Sequence, residues 1–153
     1  AELMAASVQI LTGDLPGAEK TLQQAKDLSP ASPDDSLALT RLRGLVLTEL
    51  ARVYRRRDHV AAAEAEYQEA LSAYKKIALA SPEILVIHLE MARAETELAR
   101  TLLLAGKKEP ARKQLESARR TIQELLKKEP ANEDFANQLT EIEQLLGDSA
   151  KPS

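Results

Sequence analysis

Apolar residues recur along most of this chain at intervals of three and four, the period of one helix face. Leu47, Leu50, Ala51 and Tyr54 form one such stripe, and Leu98, Ala99 and Leu102 form another. Phe135, Leu139, Ile142 and Leu146 form a third near the end. Short polar breaks and prolines separate the stripes. The pattern predicts helices over 2–12, 15–28, 34–57, 60–80, 83–105, 108–128 and 132–146. Pro30, Pro33, Pro82 and Pro130 stop one helix or open the next. Ser81-Pro82-Glu83 and Ser32-Pro33-Asp34-Asp35 read as an N-cap, a proline at the first helical position and acids on the positive end.

The stripes repeat. Thr48-Glu49-Leu50-Ala51-Arg52 recurs as Thr96-Glu97-Leu98-Ala99-Arg100, 48 residues on. Gly13, Asp58 and Gly106 each sit in a polar break. The pattern A-x3-[L/Y]-x2-A follows each: Ala18, Leu22, Ala25; then Ala63, Tyr67, Ala70; then Ala111, Leu115, Ala118. These positions share one helix face, where alanine at either end admits a neighbouring helix and the larger residue fills the groove. Fixed-period self-similarity of this kind marks a stacked repeat architecture.

Composition agrees with an all-α chain. Ala, Leu, Glu, Gln, Lys and Arg dominate, and these are the strongest helix formers. Aromatics are sparse: three Tyr, one Phe and no Trp. The chain has no cysteine, hence no disulfide framework or thiolate chemistry. A formal net charge of −3 calls for neither nucleic acid nor an anionic membrane. No apolar run approaches the ~20 residues of a membrane span, and no signal segment opens the chain. A first residue Ala1 rather than Met suggests a processed chain or a piece of a longer protein.

The repeated positions resemble the tetratricopeptide repeat (TPR) pattern W-x2-L-G-x2-Y…A-x3-F-x2-A…P. Leu47, Leu50, Ala51 and Tyr54 with Ala63, Tyr67 and Ala70 fit one unit; Leu98, Ala99 and Leu102 with Ala111, Leu115 and Ala118 fit the next. Ala18, Leu22, Ala25 and Pro30 fit the second helix of a first unit. The steps Ala18 to Ala63 and Ala63 to Ala111 are 45 and 48 residues, longer than the ~34 of an ordinary unit. Tyr67, Tyr74 and Pro82 resemble the endings of TPR segments that accompany serine/threonine kinase domains in bacterial signalling proteins. The resemblance implies a superhelix of antiparallel helix pairs, about three units and a C-terminal capping helix over 1–147, with a disordered tail over 148–153.

It also implies a function. In TPR arrays the first helix of each unit lines a concave surface. The ligand-contacting positions fall here on Leu45, Thr48, Glu49, Arg52 and Arg55, and on Arg93, Thr96, Glu97, Arg100 and Leu103. Arg52, Arg93 and Arg100 would give that groove a basic ladder. The plain alternative is a solvated face, in which Glu49–Arg52 and Glu97–Arg100 are i,i+3 pairs worth ~0.2–0.5 kcal/mol each. The expected function is non-catalytic: a protein–protein interaction module that takes an acidic peptide or helix, within a larger protein or complex. The alternative is a structural segment that self-associates through the ends of the array as a homo-oligomer. Cytoplasmic localisation goes with either reading.

The remaining candidates are structural by their placement. Arg55-Arg56-Arg57 ends a helix, where cations complement the dipole. Asp34-Asp35 and Glu133-Asp134 fall in first helical turns by this reading. His59 and His88 are not at metal-ligand spacing. Tyr54, Tyr67 and Tyr74 fall on core stripes. The sequence carries no phosphate loop, nucleophile elbow or HExxH motif, so no enzyme, metal or cofactor is expected.

Overall fold

Three helix ends show how this sequence turns. Gly13, Asp58 and Gly106 adopt φ of 83°, 60° and 74°. The next amide in each case reaches back five residues: Asp14 to Gln9 at 2.8 Å, His59 to Tyr54 at 2.8 Å and Lys107 to Leu102 at 2.9 Å. That is the Schellman closure, which satisfies carbonyls left over at a helix C-terminus. Glycine enters the left-handed region freely, whereas Asp58 carries a side chain there. Asp58→Gly should therefore stabilise the chain by about 0.5–1 kcal/mol. A urea titration of the exposed-site variant checks this, and an unchanged or lowered midpoint would contradict it.

The computed structural model describes residues 2–151. Its helices, in order, are α1 (Glu2–Leu11), α2 (Leu15–Leu28), α3 (Leu37–Arg56), α4 (Val60–Ala80), α5 (Leu85–Leu104), α6 (Lys108–Lys128) and α7 (Glu133–Ser149). The described residues form no strand. The chain is all-helical, and α2, α4 and α6 keep the boundaries read from the sequence. Helix α7 runs on to Ser149, so the first residues of the expected tail are helical; Pro152 and Ser153 lie outside the described residues.

The expected starts of α3 and α5 need correction. Ser32-Pro33-Asp34-Asp35 and Ser81-Pro82-Glu83-Ile84 are turns that precede the helices, closed by Asp35 N–H to Ser32 O and Ile84 N–H to Ser81 O, each at 3.2 Å. Asn132 N–H to Glu129 O closes a third at 3.1 Å. Pro33, Pro82 and Pro130 thus hold the second position of a four-residue turn, where the fixed φ of proline also fits. The true cap of α3 is Ser36, whose side chain accepts from Leu39 N. Asp34 and Asp35 stay in the turn, while Glu133 and Asp134 do occupy the first turn of α7.

The chain divides into two compact units, Ala1–Ile77 and Ala78–Ser153. In the first, α1 packs on α2 and α2 on α3. Ala6, Ala18, Leu22, Val46, Leu50 and Val53 form one buried cluster, flanked by Leu3, Ile10 and Tyr54. Helix α4 adds the buried Ala63, Tyr67, Ala70 and Tyr74. Its Tyr74 ring lies against Gly44 of α3: a Cβ at Gly44 would stand 2.7 Å from Tyr74 Cε1. In the second unit α5 packs on α6 and α6 on α7. Ala111, Leu115, Ala118 and Ile122 of α6 are fully buried, as is Ile142 of α7. The small–large–small pattern after each break is thus buried in all three copies, except for the half-buried Ala25.

An ion network ties three helices of the first unit. Lys26 Nζ on α2 donates to both carboxylate oxygens of Glu66 on α4 at 2.9 and 3.0 Å. Glu69 on α4 lies 3.4 Å from Lys26 and accepts from Arg43 of α3 at 2.6 Å. Burial alone would raise the Glu69 carboxyl, but the Arg43 hydrogen bond and the Lys26 charge outweigh it and lower its pKa. Burial alone would lower the Lys26 ammonium, but the Glu66 hydrogen bond and charge outweigh that and raise its pKa. The sign follows from linkage: a depressed carboxyl contributes stability above its unfolded value, lost as pH falls through the folded one. A raised ammonium contributes below its unfolded value, lost as pH rises through the folded one. The first unit should therefore weaken below about pH 4 and again above about pH 10. All three tyrosines lie in Ala1–Ile77, so tyrosine fluorescence reads this unit. Glu69→Gln should flatten the acid limb of its urea midpoint against pH; an unchanged limb would remove the network from the account.

Candidate functional site

The repeated pentapeptide divides by face. Leu50, Ala51, Leu98 and Ala99 are buried in their units. Thr48 and Thr96, read from sequence as ligand-contacting, are also buried, at 7% and 1% exposure. Each hydroxyl donates to the carbonyl four residues back, Thr48 to Gly44 at 2.8 Å and Thr96 to Ala92 at 2.7 Å. Neighbours outside the motif cover them. The Tyr74 hydroxyl lies 3.4 Å from Thr48 Oγ1, and Gln138 Nε2 of α7 donates to Thr96 Oγ1 at 3.3 Å.

The charged members sit further out. Glu49, Arg52 and Arg55 on α3 are partly exposed. Arg52 pairs with Glu49 one turn back, as an i,i+3 pair on a solvated face would. On α5, Glu97 is partly buried, and Arg93 and Arg100 are exposed. Arg93 makes no ion pair with the described residues. Arg100 pairs across helices with Glu141 of α7.

That pairing reveals a register that sequence reasoning missed. Arg100 and Glu141 are 41 residues apart, and Thr96 and Gln138 are 42 apart, so α5 and α7 run in the same direction side by side. The acids Asp134, Glu141 and Asp148 recur every seven residues on α7, and Arg93, Arg100 and Lys107 recur every seven at and beyond α5. Each acid lies 41 positions after one of these cations, and the middle pair, Arg100 with Glu141, is in contact. The signal was present as opposite charges at equal spacing. The arginine ladder of α5 is thereby answered in part from within the chain.

The other candidates have structural partners. Arg57 pairs with Glu19 of α2. The His59 ring lies 6.1 Å from that of Tyr54 at 40°, and His88 Nε2 lies 2.9 Å from Pro82 O. Among the described residues, no group of three or more histidines and acids could hold a metal ion. No helix there is long and apolar enough to cross a membrane. Two crevices of the first unit stand out among the described residues. One, of about 260 Å³, is walled mainly by Leu3, Leu28, Leu39, Leu42 and Val46, with Lys26 and Arg43 at its edge. The other, of about 200 Å³, lies between the Ser32 turn, Arg43 and Glu69. No protein-family model matches the chain, and neither does any curated protein.

Proposed function

We propose that the chain is a TPR-like array acting as a non-catalytic protein-interaction module, and that the outward face of α3 and that of α5 each bind an acidic helical or extended segment. Three features support the TPR-like part: the Schellman turns at Gly13, Asp58 and Gly106, the proline turns before α3, α5 and α7, and the buried alanines Ala18, Ala63 and Ala111. The observation that carries the binding part is Arg93, an exposed guanidinium without a partner acid among the described residues. Arg52 is the second contact, since its Glu49 pair is a partly exposed i,i+3 pair that contributes little and exchanges readily. Arg100 is a weaker contact because Glu141 holds it.

The test is a titration with an alanine-rich helical peptide bearing glutamates every seven residues, the spacing of Arg93 and Arg100. Binding should weaken as salt rises, because exposed charges are screened beyond about 10 Å at 0.1 M. Arg93→Ala and Arg52→Ala should each cost about fivefold in affinity at low salt. Circular dichroism of each variant checks that the fold is kept. Parent and variants that bind alike at both ionic strengths would refute the basic-face reading.

A further inference from the structure

Helix α1 is apolar on both sides. Its inner side carries Leu3, Ala6 and Ile10 into the first unit's core. Its outer side carries Met4, Val8 and Leu11, which are 76%, 59% and 86% exposed. These three fall at i, i+4 and i+7, along one stripe. Surface helices ordinarily put polar residues on the side away from the core. The flanking exposed residues are Ala5, Ser7 and Thr12, which are small. Glu2, at one end, is the helix's single charged residue.

We propose that a second copy of this chain covers this stripe, the two α1 helices pairing antiparallel with Val8 near the two-fold axis. Charge selects the occupant. A stripe without charge meets itself with no like-charge contact, and the antiparallel arrangement keeps the two Glu2 carboxylates at opposite ends. The alternative end of the chain is a poor fit. Helix α7 has no basic residue and exposes Glu133, Asp134, Glu143 and Asp148, so stacking it on α1 would desolvate carboxylates against methyl groups. The spacing agrees: Met4, Val8 and Leu11 match the d-a-d spacing of a two-helix seam. Area sets the strength. Ten residues make a helix of about 15 Å, far short of the roughly 800 Å² per partner of a standard interface. The pair is therefore a weak dimer that assembles with rising concentration. This inference does not rest on the basic faces of α3 and α5.

The experiment is sedimentation equilibrium on the intact chain up to millimolar concentration, with two variants. The parent should shift from one to two chains as concentration rises, and Val8→Glu should remain a monomer. If Val8→Glu loses helicity, Leu11→Glu at the most exposed position of the stripe replaces it. Because the chain has no cysteine, Val8→Cys gives a direct capture. Under mild oxidation it should form a disulfide-linked dimer faster than Gln144→Cys on the exposed side of α7. A parent that stays monomeric, a Val8→Glu variant that dimerises like the parent, or preferential Val8→Cys to Gln144→Cys cross-linking would each overturn the proposal.

Discussion

Gly44→Ala should destabilise the first unit by about 1–3 kcal/mol, although alanine is the better helix former. Gly44 lies within α3, where a glycine-to-alanine change at an open site gains about 1 kcal/mol. Here the new Cβ would stand 2.7, 2.9 and 3.2 Å from Cε1, Cζ and Cδ1 of Tyr74. That ring is 1% exposed, so it has no room to swing away. Forty-eight positions on, the same two places hold Ala92 and Ile122, both fully buried. The two units thus match one pair of sites differently, glycine with an aromatic ring in one and alanine with a branched aliphatic in the other. The strong test is a sign reversal. Tyr74→Ile alone should destabilise through the volume removed. In that background Gly44→Ala should become neutral or stabilising, because the clash is gone and the helix propensity remains. Urea unfolding followed by circular dichroism for the four proteins measures the cycle. A Gly44→Ala penalty of equal size with either residue at 74 would show that the ring is not its cause.

This pair also marks where the sequence was legible. The helices followed from periodicity, because each buried stripe is local: Leu47, Leu50 and Ala51 lie within two turns and face one neighbour. The breaks followed because glycine and aspartate interrupt the pattern at Gly13, Asp58 and Gly106. The proline positions were harder to assign. The first position of a helix and the second position of a turn both want φ near −65° and no amide donor. Pro33 and Pro82 fit either, and the side chain that decides for α3 is Ser36, three residues further on. Thr48 and Thr96 were hidden for another reason. They lie beside exposed arginines on their own helices, and Tyr74 and Gln138, which cover them, come from other helices. On α7 the apolar stripe is legible by itself, whereas the seven-residue spacing of its acids gains meaning only beside the equal spacing of Arg93, Arg100 and Lys107. Glu141 therefore appears only in the structure as the partner of Arg100.

Ile142→Ala should cost the second unit about 2–4 kcal/mol, the range for a fully buried aliphatic side chain that leaves a cavity. Helix α7 docks mainly on α6, with a smaller contact to α5. Its inward stripe is Phe135, Leu139, Ile142 and Leu146, of which Phe135 and Ile142 are buried and the other two partly so. Ile142 is the most completely covered of the four, and its neighbours cannot make up for it because the outward face of α7 is acidic and polar. The Arg100–Glu141 pair does not hold the helix by itself. Both side chains are about 40% exposed, where such a pair contributes at most about 1 kcal/mol. Helix α7 packs on α6 and α5 of its own unit, so the loss should stay in that unit. Tyrosine fluorescence reports on Ala1–Ile77 alone, whereas helical dichroism reports on the whole chain. In the Ile142→Ala variant the dichroism curve should therefore gain an early phase that the fluorescence curve lacks. Two curves that shift together by the same amount would mean that the units unfold as one cooperative block, and that the loss of this side chain is felt along the whole chain rather than at its α7 end.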